Sequence, residues 1–296
     1  MKQSFGDRLF NVCNYIVFGI FTLLCIFPFY YLFIQTISDN SLSASGQVTF
    51  YPKGIHFNNY VEVLKVKGLS NAAIVSIART VLGTLGTVIG SAFLGYLFTK
   101  QKMAGRVFWY RFVIITMYFN AGIIPWFIIM MNLNLTNNFW AYILPAIVSP
   151  FNVILVKTFV ESLPEALEES AEMDGAGTIV LFTRIVFPLI VPIVATIAIF
   201  SAVNQWNSFM DTVFLMTNDK LYTLQFVLYK YLNESNSLAA IIRSGQGMEN
   251  IDLSKMQTST SIRTTVAMIV VIPILLVYPF FQRFFVKGIM IGAVKG

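Results

Sequence analysis

The sequence predicts an all-α integral membrane protein with six transmembrane helices and both termini cytoplasmic. Three observations carry that prediction. Of 296 residues, 56% are hydrophobic and only 11% charged, with a mean hydropathy of +0.71; soluble domains carry about 25% charged residues. The apolar runs are long and unbroken, whereas barrel strands are short and alternate. The acids are also unevenly placed, with six of the fourteen lying between Glu161 and Asp174.

The first span is expected at about 9–37, because no charge occurs between Arg8 and Asp39. Pro28 marks a possible kink within it. The run is too long for a signal-peptide core and lacks a small-residue cleavage site, so it reads as a retained span. Cys13 and Cys25 both fall inside it and read as packing residues, without a disulfide or metal framework. His56 is the only histidine, which excludes a histidine-based metal or catalytic cluster. A polar stretch then carries Asp39-Asn40, Pro52-Lys53-Gly54 and Asn58-Asn59, all turn chemistry.

The second span is expected at 71–99, with Arg79 its one charge. Its small residues (Gly83, Gly86, Gly90, Ser91, Ala92 and Gly95) permit close helix packing. A basic loop follows with Lys100, Lys102, Arg106 and Arg111. The uncharged run from Phe112 to Val156 is too long for one helix. The polar stretch from Asn132 to Asn138 divides it into spans at 107–131 and 139–160. A fifth span is expected at 185–204, opening with Pro188 and Pro192, and a sixth at 263–285. Basic residues favour cytoplasmic loops. The loop after span two and both termini are basic, so these are assigned to the cytoplasm, and the +6 net charge is no sign of nucleic acid binding. By parity 161–184 is also cytoplasmic. The segment 217–262 is then outside, with a short helix expected near 221–232.

The acidic block reads as helix–Gly–helix. Ser162-Leu-Pro-Glu165 has the pattern of a capping box. Pro164 suits a first turn, the helix is expected to run to Met173, and Gly175 supplies a left-handed stop. Thr178 is placed to cap a second short helix. Taken alone, this is a solvated acidic helix or a docking surface for a soluble partner.

Its spacing favours docking. Glu169-Ser170-Ala171, three residues, Gly175, nine residues, Ile185, one residue and Phe187-Pro188 resemble the cytoplasmic EAA loop of ABC-importer permeases. Ser170 and Phe187 replace the alanine and leucine of that pattern. Asp174-Gly175-Ala176, Asn204-Gln-Trp206-Asn207 and Val48-Thr-Phe-Tyr-Pro52-Lys-Gly54 look like the carbohydrate branch. The ending from Tyr278 to Gly296 resembles polysaccharide and complex-oligosaccharide permeases. The chain is thus similar to the six-helix permease subunit of maltose-type importers, with a MetI-like fold.

The resemblance implies a coupling helix that enters a cleft on a cytoplasmic ATPase. Glu165, Glu168, Glu169, Ser170, Ala171, Asp174, Gly175, Ala176, Ile185 and Pro188 would form the coupling loop. It also implies a second permease subunit in a heterodimer, two ATP-binding subunits, an extracytoplasmic solute-binding protein and a sugar or oligosaccharide cargo. The location would be the bacterial cytoplasmic membrane. ATP and magnesium would be used by the partners; this chain has no GxxxxGK[ST] sequence, and the resemblance implies no cofactor of its own.

Candidate pathway or gating residues are Arg79, Asn120, Asn152, Asn204, Trp206, Asn207 and Asp211. Each has a plainer role: Arg79 can snorkel or pair with a helix, the asparagines can bond between helices, and Trp206 can sit in an interfacial belt. A membrane-embedded enzyme would need paired ionisable groups in its spans, and a proton-driven carrier would need acids there. Neither pattern is evident.

Overall fold

The computed structural model describes residues 5–243, 261–277 and 279, and the regular structure among them is helical. The chain divides into two compact units, one of residues 1–67 with 228–272 and one of 68–227 with 273–296.

In the first unit, α1 (Phe5–Thr36) runs 32 residues through Pro28. Its apolar window is 0% buried within the chain, so its surface is matched to lipid or to another subunit rather than to this chain's core. Cys13 and Cys25 are exposed thiols there, which corrects their expected role in packing. Asp39 then caps α2 (Asn40–Ala44), its Oδ1 accepting from the Ser41 and Leu42 amides at 2.9 and 3.2 Å. Hydrogen bonds from the Ser41 side chain and these amides hold the Asp39 carboxyl below its ordinary range. Asn59, in α3 (Asn58–Lys65), donates to the Thr36 carbonyl and fastens the loop to the end of α1.

In the second unit the core forms around α4 (Leu69–Leu97), against which α7 (Pro150–Val160) and α10 (Val191–Asn207) pack. Small residues allow this approach. A Cβ at Gly83 would lie 2.5 Å from the Gln205 amide, and one at Gly95 2.8 Å from Val156. Such close backbone approach is what small residues contribute in membrane helix pairs, where lipid removes the hydrophobic drive.

The later spans are less regular than the sequence predicts. Expected span 107–131 forms two helices, α5 (Arg106–Tyr118) and α6 (Ile123–Asn132). Asn120 Oδ1 accepts from the Gly122 amide at 2.9 Å, and Gly122 has φ +88, so local turn chemistry interrupts the helix. Expected span 139–160 begins as two 3₁₀ turns, Phe139–Tyr142 and Leu144–Ala146, and bends by 42° into α7. Expected span 185–204 is corrected most. Residues of α9 (Thr178–Leu189), including a π-helical stretch Leu181–Val186, turn by 83° into α10. Pro188 and Pro192 mark the turn: neither has an amide hydrogen, so the bonds back to the Arg184 and Pro188 carbonyls are missing on either side of Ile190, whose own amide still reaches Val186 at 3.0 Å.

After α11 (Met210–Leu215), α12 (Leu224–Arg243) is longer than the expected helix at 221–232. The stretch containing Ser244 to Gly247, and the ending from Tyr278 apart from Pro279, lie outside the described residues. The last apolar helix, α13, is described over Ser261–Val277. Two described helices are long and apolar enough to cross a membrane by themselves, and four are if each bent pair is one span. Ile123–Asn132 and Ser261–Val277 are shorter apolar helices.

Candidate functional site

The acidic block folds as a short helix ended by glycine. Helix α8 (Ala166–Met173) starts after Glu165, which makes no side-chain cap bond. The expected capping box is therefore corrected. Ser162 still belongs to the turn that ends α7: its hydroxyl donates to the Phe159 carbonyl at 2.6 Å, and its amide bonds to the same carbonyl. The C-terminus follows the expectation closely. Gly175 adopts φ +83, its amide donates to the Glu172 carbonyl at 3.0 Å, and the Ala176 amide reaches back to Ala171 at 3.0 Å. That pair of bonds is the Schellman arrangement. Nothing lies within 4 Å of a Cβ placed at Gly175, so glycine is required there by backbone conformation, not by space. Gly177, not Thr178, is the residue preceding α9, and no side chain caps it.

The faces of this loop have different surroundings. Leu163, Ala171, Ala176 and Ile185 pack on a core that includes Tyr96, Val156, Phe182 and Val186. Glu168 pairs with Lys100, and Glu172 accepts from Lys102 at 2.5 Å. The Lys100 ammonium also lies 4.5 Å from the centre of the Tyr96 ring. Burial pushes the Lys100 ammonium below the ordinary lysine range. The Lys102 hydrogen bond and charge hold the Glu172 carboxyl below its ordinary range. Glu165, Glu169, Ser170, Asp174 and Pro188 are exposed, and Met173 is 88% exposed. Among the described residues no ion pair engages Glu165, Glu169 or Asp174. The loop thus presents a free acidic edge and a methionine tip, and secures its other carboxylates to its own chain. Lys100 and Lys102 are partners of the acidic block that no local pattern in the sequence joins to it. Their signal was the basic loop and the acidic block sharing one side by parity.

The second cluster lies between helices. Arg79 is 3% exposed, which overturns the snorkelling expectation and leaves helix pairing. Its Nε donates to Gln205 Oε1 at 2.9 Å. Nη1 donates to the Ser208 carbonyl at 3.1 Å and to Asp211 Oδ1 at 3.0 Å, and Nη2 pairs with Asp211 Oδ2. The guanidinium also sits 4.5 Å from the centre of the Tyr142 ring, and Gln205 Nε2 donates to the Tyr142 carbonyl at 3.2 Å. A buried guanidinium needs such a complete set of acceptors, because an unpaired one is costly. Gln205 and Tyr142 were not singled out from sequence; a buried arginine's need for acceptors is the signal that could point to Gln205, six residues before Asp211, and nothing local points to Tyr142.

The other pathway candidates do not converge there. Asn120 forms its local turn, and Asn152 reaches Ser201 at 3.4 Å between α7 and α10. Asn204 is exposed. Asn207 donates to the Val203 carbonyl at 2.9 Å and accepts from Gln225 at 3.0 Å. Trp206 lines an apolar cavity of about 290 Å³ with Ile77, Val81 and Ile199; its Thr80 hydroxyl donates to the Ser76 carbonyl, so the surface offered is apolar and poorly suited to sugar hydroxyls. Among the described residues no group of three His, Cys, Asp or Glu side chains is placed to hold a metal ion.

Comparison with known proteins gives a consistent result. Residues 86–291 match the family described as binding-protein-dependent transport system inner membrane component. Protein LplC of Bacillus subtilis is 34% identical over 296 residues, covering 100% of this chain and 98% of that protein. The polygalacturonan/rhamnogalacturonan transport system permease protein YtcP of the same organism is 31% identical, covering 98% of this chain and 99% of that one. A chain from the crystal structure of a bacterial ABC transporter involved in the import of the acidic polysaccharide alginate superposes with a TM-score of 0.81 at 29% identity, covering 96% of this chain and 99% of that chain.

Proposed function

Because the chain belongs to the family of binding-protein-dependent transport system inner membrane components, we propose that it forms half of the pathway for a sugar or oligosaccharide. It is a permease subunit of an ABC importer, a transport component rather than an enzyme. The cargo reading is supported by relatives named for polygalacturonan/rhamnogalacturonan and arabinooligosaccharide transport. Delivery would be by an extracytoplasmic binding protein, and the other half of the pathway would be a different permease subunit.

The single observation that carries the coupling proposal is the left-handed turn at Gly175 behind a helix with an unpaired acidic edge. In this reading the loop 161–184 enters a cleft on an ATPase subunit, with Glu165, Glu169 and Asp174 toward basic residues of that cleft. Ala171, Ala176 and Ile185 anchor the loop to the core, and Glu168 and Ser170 complete it; Pro188 sets the turn into the next span. The membrane reading has six spans, with the bent pairs counted as one each, in a single permease domain of residues 1–296 with both termini cytoplasmic. ATP and magnesium are held by the partner subunits.

The test of the cargo is uptake of labelled oligosaccharides by cells with and without this chain. Loss of oligosaccharide uptake on deletion, with amino acid and peptide uptake retained, supports the reading. Retained oligosaccharide uptake with loss of another solute class contradicts it.

A further inference from the structure

The ion pairs between the basic loop and α8 have a geometry beyond mere surface charge. Lys100 follows the end of α4 by three residues, and its amide still bonds to the Leu97 carbonyl at 3.0 Å. Its side chain lies against the Tyr96 ring face, and Tyr96 is fully buried. The Lys100 and Glu168 side chains are only 22% and 18% exposed. Glu168 Oε2 is buried and has no hydrogen-bond partner, so the Lys100 charge is its compensation. The outer pair, Lys102 with Glu172, is 84% and 36% exposed and correspondingly weaker. Glu168 and Glu172 are one helical turn apart, and their two lysines are two residues apart. The signs also suit the helix dipoles, with cations beyond the C-terminus of α4 and Glu168 in the first turn of α8.

Apolar contacts alone leave the direction of α8 loosely set. Ala171 is its one residue packed on the core cluster, with Leu163 and Ala176 packing just outside its two ends. An eight-residue helix held by one small side chain can roll about its axis. Rolling would turn Glu169 and Met173 away from any partner. The two ion pairs oppose that motion, because they fix one edge of α8 to the end of α4.

We propose that Lys100, assisted by Lys102, is a positioning residue for coupling: it clasps Glu168 and makes α8 move as one body with the cytoplasmic end of α4. This rests on the reading of α8 as the ATPase-docking helix. The clasp sets which carboxylates remain free, and it hands displacement of α8 to a helix that also carries Arg79. Arg79 lies 17 residues before Tyr96, about 25 Å along a helix axis.

The test uses the complete complex in lipid nanodiscs, with Cys13 and Cys25 replaced by serine. Spin labels are placed at Gln101→Cys and Met173→Cys, and their separation is measured without nucleotide and after trapping with ATP and vanadate. The expected result is one narrow distance that stays constant between the two states. Lys100→Glu broadens it and lowers vanadate-sensitive ATP hydrolysis by about 5- to 150-fold, the range of ordinary coupling energies. Adding Glu168→Lys to Lys100→Glu restores both, which general damage to folding would not permit. The proposal is overturned if Lys100→Glu leaves the distribution narrow, or if the reversed pair stays as broad as the single variant. It is also overturned if trapping shifts the distance by more than about 5.4 Å, one helical turn. Docking is read separately by whether the ATPase subunits co-purify with the unaltered chain, so its failure and that of the clasp are told apart.

Discussion

Arg79 and Asp211, 132 residues apart in sequence, form a buried ion pair that joins α4 to the start of α11. All three guanidinium nitrogens are engaged, and Tyr142 covers the face. A cargo hydroxyl would therefore have to displace an existing partner to reach Arg79. The pair ties α4 to the segment after α10, and its energetics follow from burial.

Replacing Arg79 by methionine leaves Asp211, whose side chain is only 15% exposed, without its cation. The expected loss is about 3–5 kcal/mol, the usual cost of removing one member of a buried pair. The double variant Arg79→Met/Asp211→Leu recovers most of that loss, because no unmatched charge remains. Thermal unfolding in detergent, followed by size-exclusion chromatography, checks both. A neutral Arg79→Met would mean that the ion pair does not support the fold.

Gly83 is the point at which α4 meets Gln205. Gly83→Ala places a Cβ 2.5 Å from the Gln205 amide, which is also bonded to Tyr142 and, through its carbonyl, to Arg79. Overpacking of this kind costs roughly 1–3 kcal/mol. Combining Gly83→Ala with Gln205→Ala should cost less than the sum of the two, because the second change removes the atom that collides. Additive losses would show that the two residues do not meet.

Glu169 is exposed and has no ion pair within the described residues. Glu169→Lys is expected to reduce the amount of ATPase subunit that co-purifies, more strongly at low salt, where charge interactions are least screened. Equal recovery at both salt concentrations would remove Glu169 from the docking edge.

The acidic block should respond to pH in a defined window. The folded state depresses the Glu172 carboxyl below its ordinary value of 4.5 through Lys102. The contribution of this pair is thus fully present above 4.5 and fades as pH falls through the depressed value. Protease cleavage within 161–177 should stay slow from neutral pH down to 4.5 and rise only below it. A rise between pH 7 and pH 6 would indicate another titrating group.

Much of this molecule follows from local chemistry. The charge-free run after Arg8 gives α1, and glycine at 175 gives the left-handed stop, because one residue or one uninterrupted stretch decides each. The pattern Ser162-Leu-Pro-Glu165 fails because a capping motif does not register the helix before it: α7 is still unwinding at Ser162, whose hydroxyl already donates to the Phe159 carbonyl. The breaks at Asn120 and Ile190 are visible in principle from Asn-Ala-Gly and from the paired prolines. Apolar content alone runs straight through them, since a hydropathy window registers composition and not missing amide hydrogens. Arg79 was legible as unusual but not as paired, because its partners come from chain segments more than sixty residues away.

The most direct measurement of coupling through α8 is transport per ATP hydrolysed by the reconstituted complex carrying Gly175→Trp. A side chain at φ +83 costs roughly 1–2 kcal/mol in the left-handed region, too little to unfold the membrane bundle. It does alter the turn and adds bulk beside the exposed acidic edge of α8. The chain is expected to insert normally, while stimulation of ATP hydrolysis by the loaded binding protein is lost and uptake falls with it. Unchanged uptake and unchanged stimulation in the Gly175→Trp complex would contradict coupling through this loop.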